Sequence, residues 1–311
     1  VRIEHDRLFK ELLRTFFAEF MDLFFQEVYE AIDFNHVAFL SEEVFTDVVV
    51  GEVHKVDVLI ETKLKDKDAL IIVHFESQAQ FQEKFAERMF IYSSRLYAKY
   101  RKPIIPIVIF SYDQVKEEPD HFVMRLPFIE ILSFQFFKLE LRKKNWRDFI
   151  EQDNPVAAAL LSKMGYTKED RVQVKKEFLR MLVRLHLDPA RMRLISGFFD
   201  TYLKLDDIEE IQLQKEIAML EPHEEEKIMD LRTNWEKTAE LNGELKGEQK
   251  ILKKFLKAHF GDDSRVMLEQ IDHLTDLDIL EQLTDQLFQN SDFSEAKKLV
   301  SEAYNKRQSL I

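Results

Sequence analysis

Apolar residues recur at helical spacing from His5 to Glu30. Leu8, Leu12, Leu13, Phe16, Phe17, Phe20, Leu23 and Phe24 form one wide stripe, with Asp6, Lys10, Arg14 and Asp22 opposite. The spacing predicts a long amphipathic helix laid on a core. Strand-like runs follow over Val44–Val50, Val56–Leu64 and Ala69–Phe75, the last two separated by the turn-like Asp66-Lys67-Asp68. Leu70-Ile71-Ile72-Val73 is apolar at every position, as a central strand covered on both faces would be. Helical spacing returns from Gln80 to Tyr100, through Phe81, Phe85, Met89, Tyr92 and Leu96, and ends before Pro103. Ile104–Phe110 then reads as a buried strand and Ser133–Leu141 as another.

The order through residue 150 predicts an α/β module whose mixed sheet is flanked by helices. Beyond Trp146 the pattern is helical throughout, so an all-helical C-terminal half is expected. Segments Asn154–Lys163, Lys168–His186, Pro189–Tyr202 and Asp206–Leu220 have the length of short bundle helices. Asp170, Asp188 and Asp207 stand where helix starts are expected. The expected division is a sheet domain over 1–150, a helical extension over 151–222, a polar helical spacer over 223–250 and a small helical domain over 251–311. The spacer holds only a broken heptad, Ile228, Leu231, Trp235, Leu241 and Leu245. A break is expected in the last unit at Gly261-Asp262-Asp263.

Composition narrows the chemistry. The chain has 311 residues, a net charge of −13, six glycines and no cysteine. Disulfide frameworks, thiol nucleophiles and Cys-ligated zinc are excluded, and a reducing cytoplasm is the expected compartment. No secretory leader is read at the N-terminus, and no apolar run is long enough for a membrane span. There is no Walker A or GxGxxG loop, no HExxH and no GxSxG. Bulk acidity argues against coating nucleic acid, yet charge is uneven. Lys84, Arg88, Arg95, Lys99, Arg101 and Lys102 stand against Glu87 alone, and Arg88, Arg95, Lys99 and Lys102 recur at spacings compatible with one helix side. A phosphate-binding stripe and an ordinary solvated face both account for this pattern. Arg142-Lys143-Lys144 is a second, smaller basic cluster.

Two carboxylates stand out. Asp57 interrupts an apolar alternating strand, and Glu76 ends a strand too apolar to want a charge. Burying a carboxylate costs free energy unless it is paired or binds a cation. Two acids on neighbouring strands could share one hard cation such as Mg²⁺; solvated edge acids and ion-pair partners are the alternatives.

A helix, a strand meander bearing Asp57 and then Glu76-Ser77-Gln78, a further helix and a further strand together resemble the PD-(D/E)XK nuclease core. More narrowly, the chain resembles the Rpn family of recombination-promoting nucleases, or YhgA-like transposases. The resemblance rests on His5-Asp6-Arg7-Leu8-Phe9-Lys10, on Val56-Asp57-Val58-Leu59, on Val73-His74-Phe75-Glu76-Ser77-Gln78, on Arg88-Met89 with Tyr92 and Tyr100, and on the segment Lys99–Asp113. Gly243–Ala303 resembles the spacer and small domain often appended to such proteins.

The resemblance implies a metal-dependent DNA endonuclease linked to recombination or mobile elements. It implies Mg²⁺, or Mn²⁺ in its place, held by Asp57, Glu76 and the Ser77 carbonyl. Gln78 stands where many PD-(D/E)XK members carry Lys; Gln can orient a water but cannot neutralise charge. Asp6 or Glu11 would add an acid from the first helix, although Asp6 also suits a helix N-terminus. His74 and Tyr92 would support the metal ligands, and a hydrogen-bonded structural His74 is the alternative. Lys84, Arg88, Arg95, Lys99 and Lys102 would contact DNA. A homodimer through the C-terminal helices would suit cutting of both strands. A catalytically silent nuclease fold, binding DNA or protein, is the competing expectation.

Overall fold

The N-terminal stripe is carried by three consecutive helices, α1 (Arg2–Thr15), α2 (Phe17–Phe24) and α3 (Gln26–Tyr29), rather than by one. The backbone leaves the helical region at Phe16 and Phe25, with φ of −130° and −140°. Neither Pro nor Gly marks these bends, so tertiary packing accounts for them. Phe9 of α1 packs edge-on against Phe198, while Phe17 of α2 meets Phe34 and Phe39, and Phe25 meets Phe137. One straight helix could not turn a single stripe toward all of these partners.

The computed structural model describes residues 2–40, 44–46, 53–55, 58–65, 67–76, 85–112, 117–289 and 292–308, with the backbone alone described at positions 2–4, 6, 44–46, 53–55, 73–76, 234, 236, 238–240, 242 and 307–308. A five-stranded mixed sheet runs in the order β1 (Ile32–Phe39), β4 (Val58–Leu64), β5 (Lys67–Glu76), β6 (Ile104–Phe110), β9 (Phe137–Glu140). The pairs β1–β4 and β4–β5 are antiparallel, and β5–β6 and β6–β9 are parallel. Leu70, Ile71 and Ile72 of β5 are fully buried, as are Ile107, Val108 and Ile109 of β6. The central position expected of β5 is therefore observed. Two short strands, β2 (Val44–Thr46) and β3 (Val53–Lys55), form a separate antiparallel ribbon. The rest of the expected Val44–Val50 strand lies outside the described residues.

Among the strands, two features depart from the sequence expectation. Strand β1 had no alternating signal, because Asp33, Asn35 and His36 interrupt it, and its register shifts between Asp33 and Ala38. The expected strand Ser133–Leu141 is two strands in different sheets. Its first part ends β8 (Ile129–Gln135), which pairs with β7 (His121–Leu126) in a hairpin, and its second part is β9. Phe136 separates them, its N–H donating to the Asp120 carbonyl and its ring buried.

One face of the sheet is covered by α4 (Phe85–Tyr100). Leu96 packs with Leu59, Leu70 and Ile72, and Phe85, Met89 and Tyr92 pack with Val108 and Phe110. Helices α5 (Pro155–Leu160), α6 (Arg171–Leu185), α7 (Pro189–Tyr202) and α8 (Asp207–Ile217) follow. Asp188 caps α7 through the N–H groups of Ala190 and Arg191, with Pro189 at the first helical position. At α8 the cap is Asp206 instead of Asp207, completed by Glu209 in a reciprocal box. Asp170 precedes α6 but accepts from the Thr167 N–H and pairs with Arg147 instead of capping.

Asn154 caps α5 by accepting from Val156 and Ala157, and its Nδ2 donates to the Glu19 carbonyl of α2 at 2.9 Å. The side chain is buried, so no water replaces these bonds. Asn154→Ala is expected to cost about 1–2 kcal/mol, read as a lower urea midpoint with an unchanged slope.

The chain divides into two compact units, Val1–Ile228 and Met229–Ile311. Helices α5 to α8 belong to the same unit as the sheet. The polar spacer lies within one long helix, α9 (Pro222–Phe260), which ends at Gly261 with φ of +54°, where the break was expected. With α10 (Arg265–Asp272), α11 (Leu277–Gln289) and α12 (Phe293–Gln308), the end of α9 encloses a second core around Leu252, Leu256, Ile271, Leu280, Leu287 and Val300. Among the described residues no helix is long and apolar enough to cross a membrane.

Candidate functional site

The site expected from sequence is framed by the entry to β4 and the exit from β5. Val58, the first residue of β4, pairs with Val73, while Glu76, the last residue of β5, is in register with Phe110 at the end of β6. The start of β4 and the ends of β5 and β6 therefore lie at the same end of the sheet. In register, His74 matches Val108 and Glu76 matches Phe110. Val108 and Phe110 belong to the face that α4 covers, so strand alternation assigns positions 74 and 76 to that face.

The first turn of α4 stands over the same end. Phe85 packs on Phe110 with ring centroids 5.3 Å apart. The helix then runs back to the start of β6, where Ile104 pairs with Leu70. Its N-terminus, the positive end of its dipole, thus lies at the carboxyl ends of β5 and β6. The carboxyl ends of parallel strands are where open α/β sheets bind ligands, because the connections there leave a crevice.

The expected residues divide three ways. Asp57, Ser77, Gln78 and Lys84 lie outside the described residues. Position 76 and position 74 are brought to the framed end, and Asp57 directly precedes the first residue of β4. Tyr92 is buried in the cluster with Val108 and Phe110, on the same face. The first helix points elsewhere in its described contacts: His5 Nδ1 meets the Tyr202 hydroxyl at 2.9 Å, and Phe9 packs on Phe198 of α7. Glu11 is exposed on α1, and no described contact brings it to the strand ends. Asp6 lies on the same helix.

The basic stripe spreads along the whole of α4, about 24 Å for its sixteen residues. Arg88 sits near the framed end, half-buried, its guanidinium 5.2 Å from the Phe85 ring. Arg95 is half-buried midway, and Lys99 is exposed near the far end, with its ammonium 5.1 Å from the Tyr100 ring. Lys102 lies past the helix, at the opposite end of the sheet. There it hydrogen-bonds Glu61 and pairs with Asp68 at 3.6 Å. The hydrogen bond to Glu61, above all, holds its ammonium above the ordinary lysine pKa. Its charge thus joins β4 to the β5 start, a tie that sequence spacing could not distinguish from a phosphate contact.

Among the described residues no three or more His, Asp or Glu gather as a metal cluster. No protein-family model, no curated protein and no solved structure matches the chain.

Proposed function

We propose that the chain is a metal-dependent endonuclease that hydrolyses DNA phosphodiester bonds, with Asp57 and Glu76 as the acids that hold the metal. The observation that carries this reading is the register: Val58 pairs with Val73, and Glu76 closes the parallel pair with Phe110. Glu76 ends β5 and Asp57 directly precedes β4 in the sequence, so on this reading both acids would serve the strand ends beside the first turn of α4. The element order, helix, antiparallel meander, helix and parallel strand, supports the nuclease-core resemblance.

Both acids are hard oxygen donors, the donor type that Mg²⁺ or Mn²⁺ takes. A divalent ion so held would lower the pKa of a bound water and offset charge on the phosphate. Gln78 would orient the attacking water through its amide. Arg88, near the same end, would contribute positive charge toward the DNA backbone. The linkage to recombination or mobile elements rests on the resemblance alone.

The test is nicking of supercoiled plasmid by the full-length protein with Mg²⁺, with Mn²⁺ and with EDTA. Cleavage is expected only with metal, and Asp57→Ala or Glu76→Ala is expected to reduce it by roughly 100-fold. Equal cleavage by the wild type and both variants would trace activity to a contaminant and remove the assignment. If the wild type binds DNA but never cuts with either metal, the Gln78 position identifies a silent fold used for binding.

A further inference from the structure

The geometry points to a second site, unrelated to the strand ends: a binding pocket for a small organic phosphate, lined by Arg142, Lys168, Arg171 and Lys204. The pocket is a widely open depression of about 570 Å³. It lies where the chain after β9, the segment before α6 and the α7–α8 turn meet. Tyr166, Tyr202 and Leu205 complete much of its wall. In a chain of net charge −13, four cations line this cavity against two carboxylates, Asp206 and Glu209.

Both carboxylates are already engaged. Asp206 accepts the N–H groups of Ile208 and Glu209 as the cap of α8. Glu209 takes the Arg171 guanidinium through Nε at 2.7 Å, and Arg171 also reaches the Lys204 carbonyl. No carboxylate stands within ion-pair distance of Arg142, Lys168 or Lys204 among the described residues; Lys168 acts on Glu209 only at longer range. Arg142 is moreover fixed in place. Its Nη1 donates to the Met164 carbonyl at 2.7 Å, and its guanidinium lies 4.9 Å from the Tyr166 ring centroid. A half-buried guanidinium held by a carbonyl and a ring retains donors for a further partner.

Like charges gathered around a fixed Arg repel one another unless an anion joins them. A guanidinium with free donors matches phosphate oxygens, and two flexible lysines supply further charge to a dianion. The size of the cavity selects among phosphates. A depression of about 570 Å³ is far larger than one oxyanion fills. The tyrosine and leucine walls are suited to an organic portion, and the volume lies in the range of small-molecule pockets. The ligand class is therefore a phosphate monoester of about mononucleotide size. Of the Arg142-Lys143-Lys144 cluster only Arg142 lines the pocket, and Lys143 is turned to Glu140 and Glu117.

The experiment is calorimetric titration of the full-length protein with adenosine 5′-monophosphate, inorganic phosphate and adenosine. Adenosine 5′-monophosphate is expected to bind most tightly, inorganic phosphate more weakly and adenosine not at all. The double variant Lys168→Gln/Lys204→Gln, at two exposed positions, and the single variant Arg142→Gln are each expected to weaken nucleotide binding by about tenfold or more. Far-UV circular dichroism of the double variant should match the wild type. Absence of nucleotide binding at millimolar concentration, equal binding of adenosine, or equal affinity in the double variant would each overturn the proposal. Plasmid nicking should be unchanged in the double variant, which separates this site from the strand-end one.

Discussion

Phe178→Ala is expected to lower the stability of the Val1–Ile228 unit by about 3–5 kcal/mol, since a fully buried ring is truncated where the surroundings cannot close. Phe178 on α6 lies flat on Phe199 of α7, with ring centroids 3.8 Å apart and planes 14° from parallel. Both rings are fully buried. The stack also carries Lys175, whose ammonium lies 5.2 and 4.9 Å from the two ring centroids while pairing with Asp200. Truncation therefore removes the transfer free energy, the aromatic contact and one of the two faces that hold a buried cation. For a unit of this size the loss corresponds to a fall in Tm of roughly 6–20 °C. Phe178→Leu, which keeps most of the volume, is expected to cost less than about 1.5 kcal/mol. Differential scanning calorimetry of the three proteins reads both numbers. Equal losses for Ala and Leu would mean that the ring contact, not cavity formation, dominates.

Part of this fold is legible in the sequence alone. Strands β5 and β6 were readable because Leu70-Ile71-Ile72 and Ile107-Val108-Ile109 are apolar at consecutive positions, which only a doubly covered strand requires. Helix α7 was readable to the residue, because Asp188-Pro189 is both a cap and a start. Strand β1 was hidden: as an edge strand it needs only one partner, and Asp33, Asn35 and His36 cost it little. The bends at Phe16 and Phe25 were hidden as well, because the helical spacing of the apolar residues runs through them unbroken. Only the partners at Phe34, Phe137 and Phe198 require the turns.

In the sequence Asp57 and Glu76 stand out as acids in apolar company. Register adds that the two strand ends coincide. Lys102 shows the limit of spacing, for its place in the basic stripe says nothing of Glu61, forty-one residues earlier in the chain. The phosphate pocket was illegible for the same reason. Arg142, Lys168 and Lys204 belong to three separate stretches, and no local pattern announces that they meet.

Gly165→Ala is expected to destabilise the same unit by about 2–3 kcal/mol, the range of an overpacked site that must move backbone. A methyl group at this position would lie 2.5 Å from the Arg142 carbonyl oxygen and 3.2 Å from that of Lys144. Both obstacles are main-chain atoms, so no side chain can swing aside. The two strands of chain are also joined there: the Gly165 N–H donates to the Lys144 carbonyl at 2.8 Å, and Asn145 and Gly165 form a β-bridge. Relief of the clash must therefore part the segment that bears Arg142 from the segment that bears Met164, Tyr166 and Lys168. Since Arg142 is aimed by the Met164 carbonyl and the Tyr166 ring, the substitution is expected to weaken adenosine 5′-monophosphate binding without removing any charge from the pocket. Lys168→Gln should do the reverse, lowering affinity at nearly constant Tm. Titration and calorimetry on both variants separate the two effects. If Gly165→Ala lowers Tm yet leaves nucleotide affinity intact, the alignment of Arg142 is not what the pocket depends on, and the lysines alone would have to supply its attraction.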